Sequence, residues 1–156
     1  MLIAANWKMN NDLNDINDFY KFFQAHEISP DVDMCIIPQH PLIYEAKKLF
    51  EKTKIKIGSQ SSHYKSEGPF TGDVSPQLLS NIGCEYVITG HSERRKFHFE
   101  SDQFVKNTAL SIISKKMIPI ICVGETLKER KNKNTKSFIK KQILNSVPLV
   151  SDVEII

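Results

Sequence analysis

Short apolar runs recur along the chain, and between them the apolar positions fall at helical intervals. Leu2 to Ala5, Met34 to Ile37, the weaker Ile55 to Gly58, Tyr86 to Thr89 and Ile118 to Gly124 read as strands. Ile16, Phe19, Tyr20 and Phe23 lie on one face of a helix that follows the caps at Asn10 to Asn14 and runs to about His26. Pro41 to Phe50 reads as a helix with proline in its first turn, and Ser75-Pro76 opens a short helix that Gly83 closes. Ser101 caps a helix whose positions Phe104, Val105, Ala109, Ile112 and Ile113 share a face up to Lys116. Glu125 to Leu144 is helical in character but lysine-rich, and Val153 to Ile156 looks like a sixth strand beginning.

Strand and helix alternate about five times at roughly 30-residue spacing, the pattern of a parallel sheet covered by helices. The pattern alone leaves two α/β architectures open, a doubly wound open sheet and a (β/α) barrel. One segment breaks the alternation. Ser59 to Asp73 is polar, has no hydrophobic period and carries Gly68, Pro69 and Gly72, and a loop of that length in a compact domain is a functional candidate.

Composition narrows the classes. The 156 residues are 40% hydrophobic and 25% charged, enough for one globular domain with a core. A net charge of +3, from 21 basic and 18 acidic residues, does not call for nucleic acid or a membrane surface. The run Lys128 to Lys136 has no interleaved aromatic residue and reads as a solvated helix face. The first residues lack a basic leader and read as a strand, and no apolar stretch approaches a membrane span, so a cytoplasmic location is expected. Cys35, Cys84 and Cys122 are odd in number and far apart, and Cys35 and Cys122 sit in apolar runs, as buried thiols of a reducing compartment would. The five histidines show no metal-ligand spacing, so no metal is expected.

The chemistry concentrates at Tyr86 to Arg95, where an apolar run breaks at Gly90 and passes directly into helix-start residues. His91 therefore stands at the end of a strand and the start of a helix at once. Asn6 and Lys8 follow the first strand in the same way. Strands of a parallel sheet all end on one rim, so these three side chains can share a mouth although more than 80 positions separate them. A cation, an amide and an imidazole on one rim suit an anionic substrate that bears a carbonyl.

Four motifs then occur in order: Ala5-Asn6-Trp7-Lys8-Met9-Asn10, Gly68-Pro69-Phe70-Thr71-Gly72-Asp73-Val74-Ser75, Ile88-Thr89-Gly90-His91-Ser92-Glu93-Arg94-Arg95 and Cys122-Val123-Gly124-Glu125-Thr126. Together they closely resemble triosephosphate isomerase. The resemblance implies a partial TIM (β/α)8 barrel, about five βα units plus the start of a sixth strand, as a single incomplete domain over residues 1–156. It implies interconversion of dihydroxyacetone phosphate and glyceraldehyde 3-phosphate by enediolate proton transfer, in glycolysis and gluconeogenesis, without a cofactor. By the same resemblance Lys8 steadies substrate charge, Asn6 is its polar partner, and His91 is the electrophile that shuttles protons between the substrate oxygens. The neutrality of this histidine and a closing loop are likewise implied by the resemblance and not by spacing.

Glu93 ranks next, beside the lysine and histidine. Ser92, Glu125 and the pair Arg94-Arg95 read as supporting, with Glu100 or Asp102 as the partner of Arg94. Residues 59–73 resemble the family's dimer loop, with Thr71 inserted into a second copy and Gly72 beside it. Ser61 stands where the family pattern has asparagine and Asp73 where it has glutamate, which puts the loop's internal bonds in question. A complete barrel needs roughly 250 residues. The family's general base, lid and most of its phosphate cradle have no counterpart among these 156. The chain by itself is therefore expected to be inactive and to associate through its unpaired first and fifth strands. A different class, a non-catalytic half-barrel that serves as a binding module, is the alternative. An unrelated open-sheet phosphate binder lacks its G-x-G-x-x-G or P-loop here.

Overall fold

The computed structural model describes residues 1–156. Five parallel strands form its sheet: β1 (Leu2–Asn6), β2 (Asp33–Ile37), β3 (Lys56–Ser59), β4 (Tyr86–Thr89) and β5 (Ile118–Ile121). They lie in sequential order, β1-β2-β3-β4-β5. A doubly wound sheet reverses its order at a switch point, whereas a barrel winds one way, so the order selects the partial barrel. The helices are α1 (Leu13–Gln24), α2 (Ile43–Leu49), α3 (Pro76–Ile82), α4 (Ser92–Phe97), α5 (Asp102–Ser114), α6 (Leu127–Lys131) and α7 (Thr135–Ser146). A single 3-10 turn, His40–Leu42, leads into α2. No helix is long and apolar enough to cross a membrane.

Alternation along the strands sorts side chains between two faces. Ile36, Ile57 and Val87 point towards the helices and pack with Ile16, Ala46, Phe50 and Ile112 in the main core. Each of the larger of these side chains contributes about 1.5–3 kcal/mol by leaving water. Cys35, Ile37, Tyr86 and Ile88 form a smaller cluster on the opposite face, against the partly exposed Ile118 and Ile120. Cys35 and Cys84 are buried and Cys122 only half-buried, and all three are free thiols. Burial pushes the Cys35 and Cys84 thiols up to about 12.

The helix ends follow local chemistry. Asp12 closes a capping box with Asp15 at the start of α1, and Ser101 Oγ accepts the Phe104 N–H at 3.1 Å at the start of α5. Gly83 ends α3 in the left-handed conformation, φ 94°.

Three boundaries differ from the sequence pattern. The stretch from Glu125 to Leu144 is two helices and not one, separated by a turn in which Lys133 has φ 58°. Asn132 and Asn134 flank that turn, and asparagine side chains compete for the backbone bonds a continuous helix would need. β5 stops at Ile121, so Cys122 to Gly124 belong to the rim. Val153 to Ile156 is not yet a strand. Ile156 alone bridges to β5, donating its N–H to the Pro119 carbonyl at 3.1 Å and accepting from Ile121 at 2.7 Å, which is the bond pattern of a parallel ladder at its first rung. β1 is paired only with β2.

Candidate active site

The C-terminal ends of β1, β3 and β4 surround a cavity of about 460 Å3, lined by Asn6, Lys8, Gln60, His91 and Glu93 among others. Lys8 adopts a left-handed backbone, φ 53°. That conformation costs a residue with a Cβ about 1 kcal/mol or more. Bonds on both sides of the residue hold it: its N–H donates to Asn6 Oδ1 at 2.9 Å, and its carbonyl accepts from Gln60 Nε2 at 2.7 Å. Asn6 thus acts first on the Lys8 backbone. The ammonium of Lys8 then crosses the rim to Glu93 Oε1, 2.8 Å away.

Both partners of that ion pair are about half exposed, so it adds little to stability and serves to aim the lysine. The hydrogen bond from Lys8 holds the Glu93 carboxyl below the usual carboxylate range, and the Lys8 charge acts in the same direction. The other Glu93 oxygen lies 3.5 Å from His91 Nδ1. One carboxylate therefore stands between the cation and the imidazole.

His91 is the N-cap of α4, and its Nδ1 accepts the Glu93 backbone N–H at 3.3 Å. A ring nitrogen that accepts carries no proton. In the neutral ring this hydrogen-bond assignment puts the proton on Nε2. Gly90, just before it, has φ 69°, and a Cβ there would come within 2.8 Å of both Arg95 Nη2 and Val105 Cγ2. Only glycine meets both demands. Gly90→Ala is expected to lower folding stability by about 3 kcal/mol, from backbone strain plus overpacking, as read from urea denaturation.

Of the residues singled out from sequence, Asn6, Lys8, His91 and Glu93 come together at this cavity. Ser92 lines a smaller neighbouring cavity of about 170 Å3 with Gly90, His91 and Glu125. The arginines divide the two acids between them: Arg94 pairs with the buried Glu100, and Asp102 goes to Arg95 at 2.7 Å. Glu125 pairs with Arg130 at 2.8 Å.

Thr71 and Gly72 are exposed and do not line this cavity. Their loop is nonetheless bonded internally. The His63 ring stacks between Tyr64 and Phe70, at 4.4 and 4.1 Å, and its Nδ1 accepts the Lys65 N–H at 2.9 Å. Ser75 Oγ donates to the Ser66 carbonyl at 2.6 Å across the loop's base. Of the two departures from the family pattern, Ser61 receives bonds at its carbonyl from Ser59 Oγ and His40 Nε2, and Asp73 Oδ2 lies 3.9 Å from His63 Nε2.

Two rim residues escaped the sequence reading. Gln60 supports the Lys8 backbone, and its place directly after the third strand was the available signal. His40 lines the cavity while bonded to the Ser61 carbonyl at 3.1 Å, and burial keeps its pKa below the ordinary value, with the Arg94 charge adding to that effect. Nothing in its sequence neighbourhood marks it out.

The chain matches the family model described as triosephosphate isomerase over residues 1–155. The triosephosphate isomerases of Ehrlichia chaffeensis and Aquifex aeolicus are each 41% identical to it, over 95% and 91% of this chain but 62% and 58% of their own lengths. The crystal structure of triosephosphate isomerase from Bartonella henselae superposes with a TM-score of 0.91 at 32% identity, covering 99% of this chain and 65% of that one. The chain thus spans roughly three fifths of the length of the curated relatives it matches. With the sequential half-barrel and its rim already placed, these matches establish that the chain belongs to the triosephosphate isomerase family.

Proposed function

We propose that the intact protein interconverts dihydroxyacetone phosphate and glyceraldehyde 3-phosphate in the cytoplasm, within glycolysis and gluconeogenesis. One observation carries this reading: Lys8 and His91 meet over a single carboxylate on one rim, the lysine at 2.8 Å and the imidazole at 3.5 Å. An anionic substrate offers Lys8 the same kind of partner that Glu93 now provides, and so brings its carbonyl oxygen to the imidazole.

The reaction takes a proton from the carbon next to the carbonyl and returns one to the former carbonyl carbon, while the carbonyl oxygen gains a proton and the neighbouring hydroxyl loses one. His91 Nε2–H donates the proton that the carbonyl oxygen gains and recovers one from the neighbouring hydroxyl, which moves the double bond without a cofactor. Glu93, held by Lys8, keeps both side chains aimed, and Ser92 supports the helix start. The general base is assigned to the portion of the relatives' length that this chain does not span, so the 156 residues by themselves are expected to be inactive. The test is an assay that couples product to NADH oxidation. Turnover by the intact protein is expected and none by residues 1–156, and an intact protein without turnover would overturn the reading.

The internally bonded loop of residues 59–73 supports a homodimer in which Thr71 enters the second copy. Thr71→Glu then places a charge in a closed contact and is expected to weaken dimerisation about 30-fold or more, read by sedimentation equilibrium. An unchanged dissociation constant would remove the loop from the interface.

A further inference from the structure

Arg95 makes more bonds than a surface ion pair requires. Its side chain is only 17% exposed. Nε donates to the Gly90 carbonyl at 2.7 Å, and Nη1 to Asp102 Oδ1 at 2.7 Å. Nη2 donates to the Cys122 carbonyl at 3.3 Å and to Ser146 Oγ at 3.2 Å, and Ser146 in turn donates to Asp102 at 2.9 Å. One guanidinium therefore joins the ends of β4 and β5 to the start of α5 and the end of α7.

The backbone N–H of the same residue donates to the His91 carbonyl at 2.9 Å. Both carbonyls that flank the His91 Cα, those of Gly90 and His91, are thus gripped by Arg95, one by its side chain and one by its backbone. The Gly90 N–H is held from the other direction by Glu100 Oε2 at 3.3 Å. The missing Cβ at Gly90 is what lets the guanidinium lie there. A planar fork of five donors can satisfy these directions together, and an ammonium on a flexible stem cannot.

We propose that Arg95 is a positioning residue that fixes the Gly90–His91 peptide and, through it, the direction of the His91 imidazole. The proposal rests on the isomerase reading of His91. Arg95 touches no substrate. Its effect falls on the step in which the ring must meet the carbonyl oxygen, and a displacement of about 1 Å there costs up to 100-fold in rate.

The test uses Arg95→Met and Arg95→Lys in the intact protein, each alone and combined with His91→Gln. Either variant is expected to lower kcat about 10–100-fold with KM within about twofold, and to cause no further loss once His91 is already replaced. The lysine variant keeps a charge opposite Asp102, so it reports even if the methionine variant fails to fold. The same kcat loss in both backgrounds would reduce Arg95 to general support and overturn the proposal, as would a lysine variant with unchanged kcat. The 15N signals of the His91 ring supply a readout independent of turnover: a single Nε2–H tautomer in the unaltered protein and a mixed population in the variants. Identical ring signals in both would overturn the positioning role. An unaltered protein without turnover would instead remove the isomerase reading and leave the ring signals to decide the clamp.

Discussion

His91→Gln in the intact protein is expected to lower kcat about 100–10,000-fold while KM changes by no more than a few-fold. Glutamine preserves most of what the ring does statically. Its carbonyl oxygen can accept the Glu93 N–H that Nδ1 accepts now at 3.3 Å, so the cap on α4 survives. Its amide can still donate to a substrate oxygen. What it cannot do is release that proton and take another back, because an amide nitrogen does not titrate in the accessible range. The variant therefore separates proton shuttling from hydrogen bonding. The measurement is steady-state kinetics with a thermal melt beside it; the side chain is largely at the surface of the cavity, so stability should stay within about 0.5 kcal/mol. A kcat within a few-fold of the unaltered protein would show that the ring only polarises, and would remove its shuttling role.

Lys8→Met is expected to lower kcat/KM about 100–1,000-fold, because the cavity then offers no ammonium to meet the charge of an anionic substrate. Methionine keeps the length and apolar stem but removes the only ammonium on the cavity wall. The same variant carries an independent titration. In the unaltered protein the Lys8 hydrogen bond depresses the Glu93 pKa. A depressed carboxyl contributes stability that is present above its unfolded pKa and lost as pH falls through its folded one. Replacing Lys8 should raise the Glu93 pKa towards the ordinary carboxylate value, followed by carboxyl 13C shifts, and shrink that acid-side contribution. The pair is exposed and screened, so the titration and not the melting temperature is the sensitive measure. An unmoved Glu93 titration would mean the 2.8 Å contact does not persist in solution.

Much of the molecule was legible from residue patterns because the deciding forces are local. Apolar runs at Met34 to Ile37 and Tyr86 to Thr89 become strands, and Asp12, Ser75 and Ser101 cap helices because a short polar side chain can reach a free backbone N–H. The junction at Gly90-His91 was readable for the same reason. Helix continuity through Asn132 to Asn134 was misread because the lysine-rich composition of residues 128–141 runs unchanged across the turn that the asparagines make. Which acid each arginine takes was undecidable at that level. Glu100 and Asp102 both follow the two arginines within a few residues, and only the path of the backbone after α4 gives the buried carboxylate to Arg94.

The sequence by itself determined the α/β class, the rim position of Asn6, Lys8 and His91, and, through its motifs, the family. All of these depend on periodicity and on residue identity at strand ends. Tertiary structure decided the rest. Where periodicity alone left a doubly wound sheet open, it bore out the half-barrel that the family resemblance implied, because strand order is a property of how distant segments pair. It brought Lys8 to Glu93 across 85 positions, and set Gln60 beneath the strained Lys8 backbone. It also placed the Arg95 guanidinium against Gly90, which explains why that position must be glycine. Contacts of this kind join residues whose spacing in the chain carries no period, so they exist only once the sheet has gathered its strand ends on one rim.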